Sequence, residues 1–432
     1  MNRRGFLASV AAAGPAAVLP ARAQTAARGL PAPVIKDINV IATAPAGLRL
    51  SVVKITTDQA GLYGYGCATF TQRAELVNAA VEKYLRPFLV GKRADRIEDI
   101  WQSCYNSSYW RNGPVLNNAI SGVDQALWDI KGRQAGMPVY QLLGGKCREA
   151  AACYTHAAGA EIQQTIYQAR QFMDQGFRHV RVQVGVPNMA GYGAASAGST
   201  FEPAYYIRRA LKLFEECRKQ LGDEVELLHD VHERVSPNQA VQILQDAERF
   251  KMFFMEDPLS PEDIAYFQQI RSQCATPIAM GELFNSPHEW TPLITGRLID
   301  YIRIHVSQAG GLTPVRKIAA MAEIHGVKTA WHGPGDVSPI GHAANVTLDV
   351  VCYNFGIQEY SPFNERLQEV FRGCPAMKNG YLYANDAPGW GIEVDEKLAA
   401  KYPYGSFESE ERKRLNGGWG EVRRRDGTAI KQ

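Results

Sequence analysis

The chain contains 432 residues, of which 46% are hydrophobic, 10% aromatic and 21% charged. This composition is typical of a folded globular protein, and it excludes collagen-like, low-complexity and intrinsically disordered chains. The 47 Lys and Arg residues nearly balance the 44 Asp and Glu residues, so a concentrated basic face for nucleic acid is not expected. The apolar runs are much shorter than a bilayer requires, so a membrane is not expected as a partner either.

The first 23 residues are predicted to be a twin-arginine signal peptide. Arg3 and Arg4 precede an Ala-rich apolar run, and Ala21-Arg22-Ala23 then supplies an A-x-A cleavage site. Export by this route would place the mature protein in the periplasm of a bacterium. If the signal is not used, the protein would remain in the cytoplasm.

Residues 34–150 are predicted to form an α+β domain. Two apolar runs at 34–41 and 48–56 indicate strands, and the glycines within 61–66 indicate a turn after them. Apolar residues then recur at spacings of three and four across 74–135, which predicts helices.

Short apolar strands alternate with helical stretches from residue 151 onward, a pattern typical of βα units on a parallel sheet. Eight candidate strands follow one another in the chain. They cover residues 151–155, 177–184, 225–228, 253–255, 277–280, 298–304, 327–330 and 355–358. Eight such units predict a modified (β/α)8 TIM barrel over residues 151–385, preceded by the α+β domain as a cap. The remaining segment, 386–432, is predicted to be irregular and to pack back on the capping domain.

A charged or titratable residue lies at or near the carboxyl end of each candidate strand. These residues are His156, Arg181, Asp230, Glu256, Glu282, Arg303, His332 and Glu359. Because such barrels keep their chemistry at the carboxyl ends of the strands, this rim is the predicted active site.

Three of the rim residues predict a magnesium site. Asp230, Glu256 and Glu282 follow one another at intervals of 26 residues, so they should occupy neighbouring strand ends. Each acid taken alone would fit a surface salt bridge or a helix cap. Three converging carboxylates repel unless a hard cation lies between them, and oxygen ligands suit Mg²⁺.

Further rim residues suit acid, base and binding roles. His232 follows the first of these acids by two residues, so on an extended strand it should face the same side, where a histidine can hold or give a proton at neutral pH. His332 lies opposite in strand order, where Asp336 could orient it or bind substrate hydroxyls. Arg181 and Arg303 are inward cations suited to a substrate carboxylate, although a structural ion pair is an alternative for Arg303.

The one long interval between strands holds a Gly-, Ala- and Ser-rich loop at 188–200, which contains Tyr192. It could be a surface insertion or a flap over the barrel mouth. A metal, a base and an acid around one pocket favour proton abstraction next to a carboxylate, because a cation stabilises the charge that develops there.

Eight segments together carry a resemblance to the enolase superfamily, and most closely to its mannonate dehydratase subgroup with its starvation-sensing-like members. The resemblance extends from about residue 34 to 425. The segments are residues 63–73, 109–111, 126–132, 181–183, 229–233, 255–258, 281–282 and 332–336.

The resemblance implies a Mg²⁺-dependent dehydration of a sugar acid, of D-mannonate or D-gluconate type, to a 2-keto-3-deoxy acid. It implies that Tyr192, assisted by Arg181, removes the C2 proton and that His232 protonates the departing C3 hydroxyl. The tyrosine–arginine pair is favoured because 181–183 reads Arg-Val-Gln where the superfamily more often has Lys-x-Lys. By the same resemblance, Asp230, Glu256 and Glu282 bind the metal. The implied substrate-binding residues are His156, Arg303, His332, Asp336 and Glu359.

Two positions bear on specificity. By the resemblance, efficient mannonate dehydratases have Asn at the position of Thr71. They tend to have Ala at the position of Pro334. Two alternatives therefore remain open: a non-catalytic or weakly active binding protein, and a racemase or epimerase that uses His332 as its second acid or base. The resemblance also implies a homo-oligomer with a small sugar acid as its partner molecule.

Overall fold

The computed structural model describes residues 31–187, 194–195, 200–405 and 422–431. The predicted signal peptide lies outside these residues, as does Tyr192. Within the described part of the chain, no helix is long and apolar enough to cross a membrane.

The amino-terminal α+β domain packs a three-stranded antiparallel sheet against helices. Its strands are β1 (Ile35–Thr43), β2 (Leu50–Thr57) and β3 (Tyr63–Cys67). Its helices are α1 (Ala74–Ala80), α2 (Arg86–Leu89), α3 (Ile97–Asn106), α4 (Pro114–Ala135) and α5 (Val139–Leu142), with a π-helical turn at Val81–Leu85. The 22-residue helix α4 begins at Pro114 and ends before Gly136, whose left-handed φ of 65° terminates it. Its buried face includes Val123, Leu127 and Ile130, which face the sheet.

Strand β3 replaces the turn predicted at 61–66. A Cβ on Gly64 would lie 2.2 Å from the carbonyl oxygen of Ala126, and one on Gly66 would lie 2.0 Å from that of Gly122. These glycines therefore serve a close approach of strand to helix α4 rather than a turn. Gly61, with φ of 77°, lies in the actual turn before the strand.

The second unit is a closed parallel barrel of eight strands, which confirms the predicted barrel and all eight candidate strands. The strands are β4 (Ala151–Gly159), β5 (His179–Val184), β8 (Glu226–Asp230), β9 (Phe254–Glu256), β10 (Ile278–Met280), β11 (Tyr301–Ile302), β12 (Lys328–Thr329) and β13 (Gln358–Glu359). They pair in chain order, and β13 pairs with β4 at Gln358 and Cys153. A parallel bridge between Thr329 and Phe355 joins the last two strands and closes the ring.

Between β5 and β8 the chain adds the short parallel pair β6 (Val186–Pro187) and β7 (Ala194–Ala195). Beyond β13 lie short antiparallel pairs, of which one extends the barrel sheet at β4. These strands are β14 (Phe371–Arg372), β15 (Ala376–Lys378), β16 (Tyr381–Tyr383), β17 (Glu393–Val394), β18 (Val422–Arg423) and β19 (Ala429–Ile430).

Helices cover the outer face of the barrel. They are α6 (Ile162–Asp174), α7 (Pro203–Leu221), α8 (Pro237–Ala247), α9 (Phe267–Gln273), α10 (Pro287–Thr295), α11 (Leu312–Ile324) and α12 (Pro339–Val351), followed by α13 (Glu365–Val370) and α14 (Glu396–Ala399). Capping boxes at Glu161, Ser236 and Ser286 define where α6, α8 and α10 begin. Outward strand residues such as Val180 and Val182 pack with these helices in one large core.

Inward strand residues fill the barrel with a separate apolar layer. Seven of the eight strands contribute to it: Tyr154, Leu228, Phe254, Ala279, Tyr301, Ala330 and Ile357. Because strand side chains alternate, the next inward position on each strand lies two residues further toward its carboxyl end. This layer is therefore the floor on which the rim residues stand.

The carboxyl-terminal segment makes two separate sets of contacts. Thr43 Oγ1 of the capping domain donates to the carbonyl of Ala399 at 2.9 Å, and the amide of Ala44 donates to that of Tyr402 at 2.7 Å. Residues 422–431 lie instead against barrel loops, where the amide of Phe201 donates to the carbonyl of Arg423 at 2.9 Å.

A buried carboxylate joins the two units. Asp124 on α4 is 1% exposed, and its Oδ2 accepts from the amide of Thr313 in the first turn of α11 at 3.0 Å. The carboxylate thus caps a barrel helix from the capping domain. Burial raises the pKa of Asp124 to about 7, against the opposing effect of its bonds to Thr313.

We expect Asp124→Asn to alter the pH dependence of stability. The folded pKa lies above the unfolded value, so the wild type loses stability as pH rises from about 4 to about 7 while the asparagine variant does not. The free energy of unfolding of the variant should therefore rise relative to wild type by up to about 4 kcal/mol over this range. Guanidinium unfolding at several pH values measures the difference, with exposed Asp99→Asn as control. A difference that is constant from pH 4.5 to 8 would contradict this expectation.

Candidate active site

The rim residues form a second layer directly above the apolar floor. On six strands the residue two positions beyond the floor residue is charged or titratable: His156, Asp230, Glu256, Arg303, His332 and Glu359. Arg181 lies at the same level on β5, where it pairs in register with His156. The structure therefore brings together at one end of the barrel the residues predicted from the strand ends.

Strand β10 departs from this rule, because its rim position is Gly281. This glycine has φ of 137°, and a Cβ there would lie 3.3 Å from the backbone of Arg303. The chain turns at Gly281, and the following residue, Glu282, supplies the acid that faces the site. A glycine is needed because an L side chain adopts this φ only under strain and would press on the neighbouring strand.

We expect Gly281→Ala to lower the free energy of unfolding by about 1–3 kcal/mol, the usual cost of a strained backbone conformation. Denaturant unfolding in the presence of chelator measures this cost. Gly335→Ala is the matched control, because a Cβ there meets nothing closer than 3.7 Å. Equal stability of the two variants would show that the turn at Gly281 tolerates a side chain.

Arg303 is the central cation of the site. Its side chain is fully buried and forms ion pairs with Glu282 and Glu359, while its Nη2 lies 3.1 Å from Glu256 Oε1. Its Nε donates to the hydroxyl of Tyr154 at 3.1 Å. The structural ion pair that the sequence left open for Arg303 is therefore present, and it involves the candidate ligands themselves.

Arg181 is a second buried cation on the neighbouring side. Its Nη1 lies 2.8 Å from Glu256 Oε1, 3.4 Å from Asp230 Oδ2 and 3.6 Å from Glu359 Oε1. Glu256 thus contacts both guanidinium groups. Because the two arginines share the same acids, the charges of the rim form one connected network.

Carboxylates outnumber these cations. Within the described residues, Asp230, Glu256 and Asp257 each offer an oxygen, and these atoms lie within 4.8 Å of one another. Glu282, predicted as the third ligand, is instead bonded to Arg303 at the edge of this group. Counting Glu282 and Glu359, five carboxylates among the described residues face the guanidinium groups of Arg181 and Arg303.

The donor set fits a divalent hard cation. The Oδ2 atom of Asp257 is buried and has no hydrogen-bond partner within the part of the chain that the structure describes, while its Oδ1 accepts from the amide of Gly281 at 3.3 Å. An uncompensated buried carboxylate oxygen beside two further acids is costly without a positive partner. Asp230, Glu256 and one of Asp257 or Glu282 would hold Mg²⁺ through oxygen alone.

The pKa values show how strongly the acids interact. Burial raises the pKa of Glu256 well above its usual range, although Arg303 and Arg181 oppose this shift. Burial and the neighbouring Glu282 raise the pKa of Asp257. For Glu359, burial favours the neutral acid, but Arg303 and His332 prevail and hold the pKa well below its usual range.

His232 faces the site through a backbone turn, which its spacing in the sequence did not predict. Strand β8 ends at Asp230, and His232 and Glu233 have φ of 53° and 61°, so they form a left-handed turn rather than a continued strand. His232 Nε2 nevertheless lies 3.5 Å from Glu282 Oε1. Consecutive left-handed non-glycine residues are costly and are concentrated at functional sites.

Two further histidines contact the rim acids. His332 Nε2 lies 3.2 Å from Glu282 Oε2, and His156 Nε2 lies 2.8 Å from Glu359 Oε1. Burial and the nearby arginines lower the pKa of both histidines, so both are neutral at pH 7. The carboxylate of Glu359 is also held by the amide of Gly333 at 2.8 Å.

The predicted specificity residues lie where the capping domain meets the barrel. Thr71 Oγ1 donates to Asp336 Oδ2 at 3.4 Å, so Asp336 contacts the cap rather than orienting His332. The carbonyl oxygen of Pro334 lies 3.2 Å from His342 Nε2, so a contact with helix α12 holds the loop that contains Pro334. Burial raises the pKa of Asp336 to about 6.

Sequence reasoning missed two residues of the site. Tyr154 lies two residues before His156 on the predicted first strand, so alternation alone could have placed it inside the barrel. Asp257 follows Glu256 and would face the opposite side of an extended strand. It turns inward only because its φ is 39°, which no sequence pattern indicated.

Matches to family models agree with this architecture. Residues 30–144 match the mandelate racemase / muconate lactonizing enzyme N-terminal domain, and residues 164–398 match the enolase C-terminal domain-like family. A barrel with acids converging at its rim, below an α+β capping domain, defines a protein of the enolase superfamily.

Comparison with individual relatives assigns the chain to one family within this superfamily. The D-galactonate dehydratase family member RspA of Pantoea ananatis is 50% identical over 391 residues, covering 85% of this chain and 94% of that protein. A D-galactonate dehydratase family member of Enterococcus gallinarum is 50% identical over 381 residues, covering 86% of this chain and 94% of that protein. The chain belongs to the D-galactonate dehydratase family.

Solved structures give the same result. A crystal structure of an enolase from Pantoea ananatis with bound D-gluconate and Mg is 48% identical, with a TM-score of 0.87, and covers 93% of this chain and 100% of that chain. A member of the enolase superfamily from Salmonella Typhimurium is 25% identical with a TM-score of 0.78, covering 86% of this chain and 98% of that chain. The predicted superfamily is confirmed. The mannonate dehydratase subgroup is a finer prediction than these relatives support.

Proposed function

We propose that the protein is a Mg²⁺-dependent sugar-acid dehydratase that converts an aldonic acid to its 2-keto-3-deoxy product. The observation that carries this proposal is the cluster of five buried carboxylates with two guanidinium groups and His232 at one barrel rim. Elimination of water next to a substrate carboxylate requires three kinds of group in one place. These are oxygen ligands for the metal, cations that bind the substrate, and a residue that carries a proton.

D-Gluconate is the first candidate substrate, and D-mannonate and D-galactonate are the others. The 48% identical structure from Pantoea ananatis contains D-gluconate and Mg. Thr71 and Pro334 support gluconate over mannonate, because both differ from the residues that the resemblance associates with efficient mannonate turnover. The name of the family supports testing D-galactonate beside them.

The residues divide the work of elimination between them. When bound by Asp230, Glu256 and Glu282 or Asp257, Mg²⁺ withdraws electron density from the substrate carboxylate and so acidifies the C2 proton. His232 holds the proton that the C3 hydroxyl takes as its carbon–oxygen bond breaks and water leaves. The resulting enol loses its C2 hydroxyl proton, gains a proton at C3 and so becomes the ketone.

Binding and proton abstraction use the remaining rim residues. Arg181 lies beside Asp230 and Glu256. We propose that Tyr192 is the C2 base and that Arg181 assists it by stabilising its phenolate. In neutral His156 and His332 the single N–H is directed from Nε2 to Glu359 or Glu282, so Nδ1 can accept a hydrogen bond from a substrate hydroxyl. We propose that Arg303, as the buried cation among these acids, also attracts the substrate carboxylate through its charge.

The decisive test is a panel of hexonic and pentonic acids incubated with the protein, with Mg²⁺ and with chelator, and assayed for 2-keto-3-deoxy product. We expect Mg²⁺-dependent product from D-gluconate. Binding of Mg²⁺ and sugar acid without product would overturn the enzymatic proposal in favour of a binding protein. Solvent deuterium in recovered substrate without loss of water would indicate a racemase or epimerase.

We also propose that residues 1–23 direct export to the periplasm. Arg3 and Arg4 with the A-x-A site support this proposal. Cell fractionation and amino-terminal sequencing should find a periplasmic protein beginning at Gln24. A variant with both arginines replaced by lysine should stay unprocessed, and an intact Met1 in the wild type would overturn the proposal.

A homo-oligomer completes the proposal. The described capping domain exposes 74% of Tyr84 and 81% of Trp110, and both side chains line one apolar groove on its surface. Large aromatic side chains exposed together mark interaction surfaces. Light scattering should give a multiple of the chain mass that Trp110→Ser reduces, and a monomeric wild type would overturn this part.

A further inference from the structure

Tyr154 occupies an unusual position between the apolar floor and the charged rim. Its ring belongs to the floor, where it meets the ring of Phe254 edge-on at a centroid distance of 5.8 Å. The residue is fully buried, yet its hydroxyl reaches the rim, between Arg303 and Glu256. The ring alone would satisfy the packing of the floor, so the hydroxyl must be explained by its polar contacts.

The hydrogen of this hydroxyl has one available direction. Arg303 Nε–H donates to the phenolic oxygen at 3.1 Å, and a guanidinium cannot accept a bond in return. The single phenolic hydrogen is therefore left for Glu256 Oε2, which lies 3.4 Å away. The result is a directed chain from Arg303 through Tyr154 to Glu256, in which each bond polarises the next.

This chain determines which part of Glu256 can meet a cation. Oε1 of Glu256 already faces Arg181 Nη1 at 2.8 Å and Arg303 Nη2 at 3.1 Å. A carboxylate oxygen has room for about two partners, so Oε2 keeps one place beside its bond to Tyr154. The hydroxyl thus fixes the rotation of the carboxylate and leaves one place on Oε2 for a cation.

We propose that Tyr154 is a positioning residue, whose hydroxyl holds Glu256 as a Mg²⁺ ligand and holds Arg303 beside it. This proposal rests on the proposed function only in naming Mg²⁺ as the cation. Partners that orient a metal ligand typically contribute about 10- to 100-fold to metal affinity. Tyr154→Phe removes only the hydroxyl, and we expect it to weaken Mg²⁺ binding by about 10-fold or more.

The experiment is isothermal titration of Mg²⁺ into the full chain without substrate, beside circular dichroism and thermal unfolding in chelator. Tyr140→Phe is the matched control, because it removes a hydroxyl that donates to Asp386 at 2.7 Å, away from the barrel rim. Its Mg²⁺ affinity should equal that of the wild type. We expect both variants to fold in chelator, and only Tyr154→Phe to lose Mg²⁺ affinity.

A double-mutant cycle tests that Tyr154 acts through Glu256. Glu256→Asp keeps the carboxylate but withdraws it from the hydroxyl, so adding Tyr154→Phe to this background should change Mg²⁺ affinity less than about 3-fold. A full effect in that background would show that the hydroxyl acts elsewhere.

The remaining outcomes separate this proposal from the proposed function. Unchanged Mg²⁺ affinity in Tyr154→Phe overturns the positioning role, and so does an unfolded Tyr154→Phe beside a folded Tyr140→Phe, because the hydroxyl would then be structural. Weakened Mg²⁺ binding in a protein that turns over no sugar acid would support the positioning role while refuting the dehydratase. A wild type that binds no Mg²⁺ would refute both.

Discussion

Replacement of Asp230 by asparagine is expected to lower Mg²⁺ affinity by more than about 100-fold and to abolish detectable dehydration. Loss of a residue that merely orients a ligand already costs about 10- to 100-fold, so loss of a buried ligand charge should cost more. Asp230 is fully buried beside Arg181, and it is one of the three acids whose oxygens lie within 4.8 Å of one another. Titration calorimetry and the product assay measure the two effects.

The variant also allows the metal effect to be separated from a folding effect. Ligand binding stabilises a protein in proportion to the logarithm of ligand concentration over the dissociation constant. Mg²⁺ should therefore raise the unfolding temperature of the wild type but not of Asp230→Asn. In chelator the two should have similar unfolding temperatures, because the variant loses both the attraction of Asp230 to Arg181 and its repulsion from the neighbouring acids. The exposed Asp246→Asn on α8 should behave as wild type. Intact Mg²⁺-dependent turnover in Asp230→Asn would remove the basis for the metal site.

The period-two alternation of strands explains why most of the site could be predicted from sequence. Once eight strands are recognised, the inward residue at each carboxyl end follows from geometry alone. Asp230, Glu256, Arg303 and Glu359 were all found in this way. The prediction needed no knowledge of side-chain contacts, because parallel strands in a barrel end on one rim.

The residues that were missed or misplaced depend on backbone conformation. Asp257 faces inward because of a left-handed φ, and His232 arrives through a turn where an extended strand was expected. Gly64 and Gly66 indicated a turn, yet they lie in a strand because helix α4 packs too closely for a Cβ. Glycine signals both conformational freedom and close approach, and only the tertiary structure separates the two.

Charge pairing was the other feature that the sequence left open. Whether Arg303 binds substrate or forms a structural ion pair depends on its distance to several acids from different strands. The structure shows that it contacts Glu256, Glu282 and Glu359 together. Such a network is a property of the closed barrel, since no two of its members are neighbours in the chain.

Removal of this cation has the second large expected effect. Arg303→Met should lower the free energy of unfolding in chelator by about 3–5 kcal/mol, because it leaves three buried carboxylates without their shared partner. Methionine roughly fills the volume of the aliphatic part of the side chain, so lost packing contributes little. Arg372→Met is the control, since that side chain is 67% exposed and its pairing with Asp395 at 3.9 Å is worth at most about 1 kcal/mol.

The pH dependence distinguishes lost charge pairing from lost packing. In the wild type, Arg303 holds the pKa of Glu359 well below its usual range, so this group stabilises the fold at neutral pH and loses that contribution as pH falls through the folded pKa. In Arg303→Met, burial raises the pKa of Glu359 above the unfolded value, so stability falls as pH rises. The difference from wild type should therefore be larger at neutral pH than near pH 4, because only the variant loses stability by ionising Glu359 over this range. Guanidinium unfolding at pH 4.5 and 7.5 measures it, and an equal loss at both would assign the effect to packing.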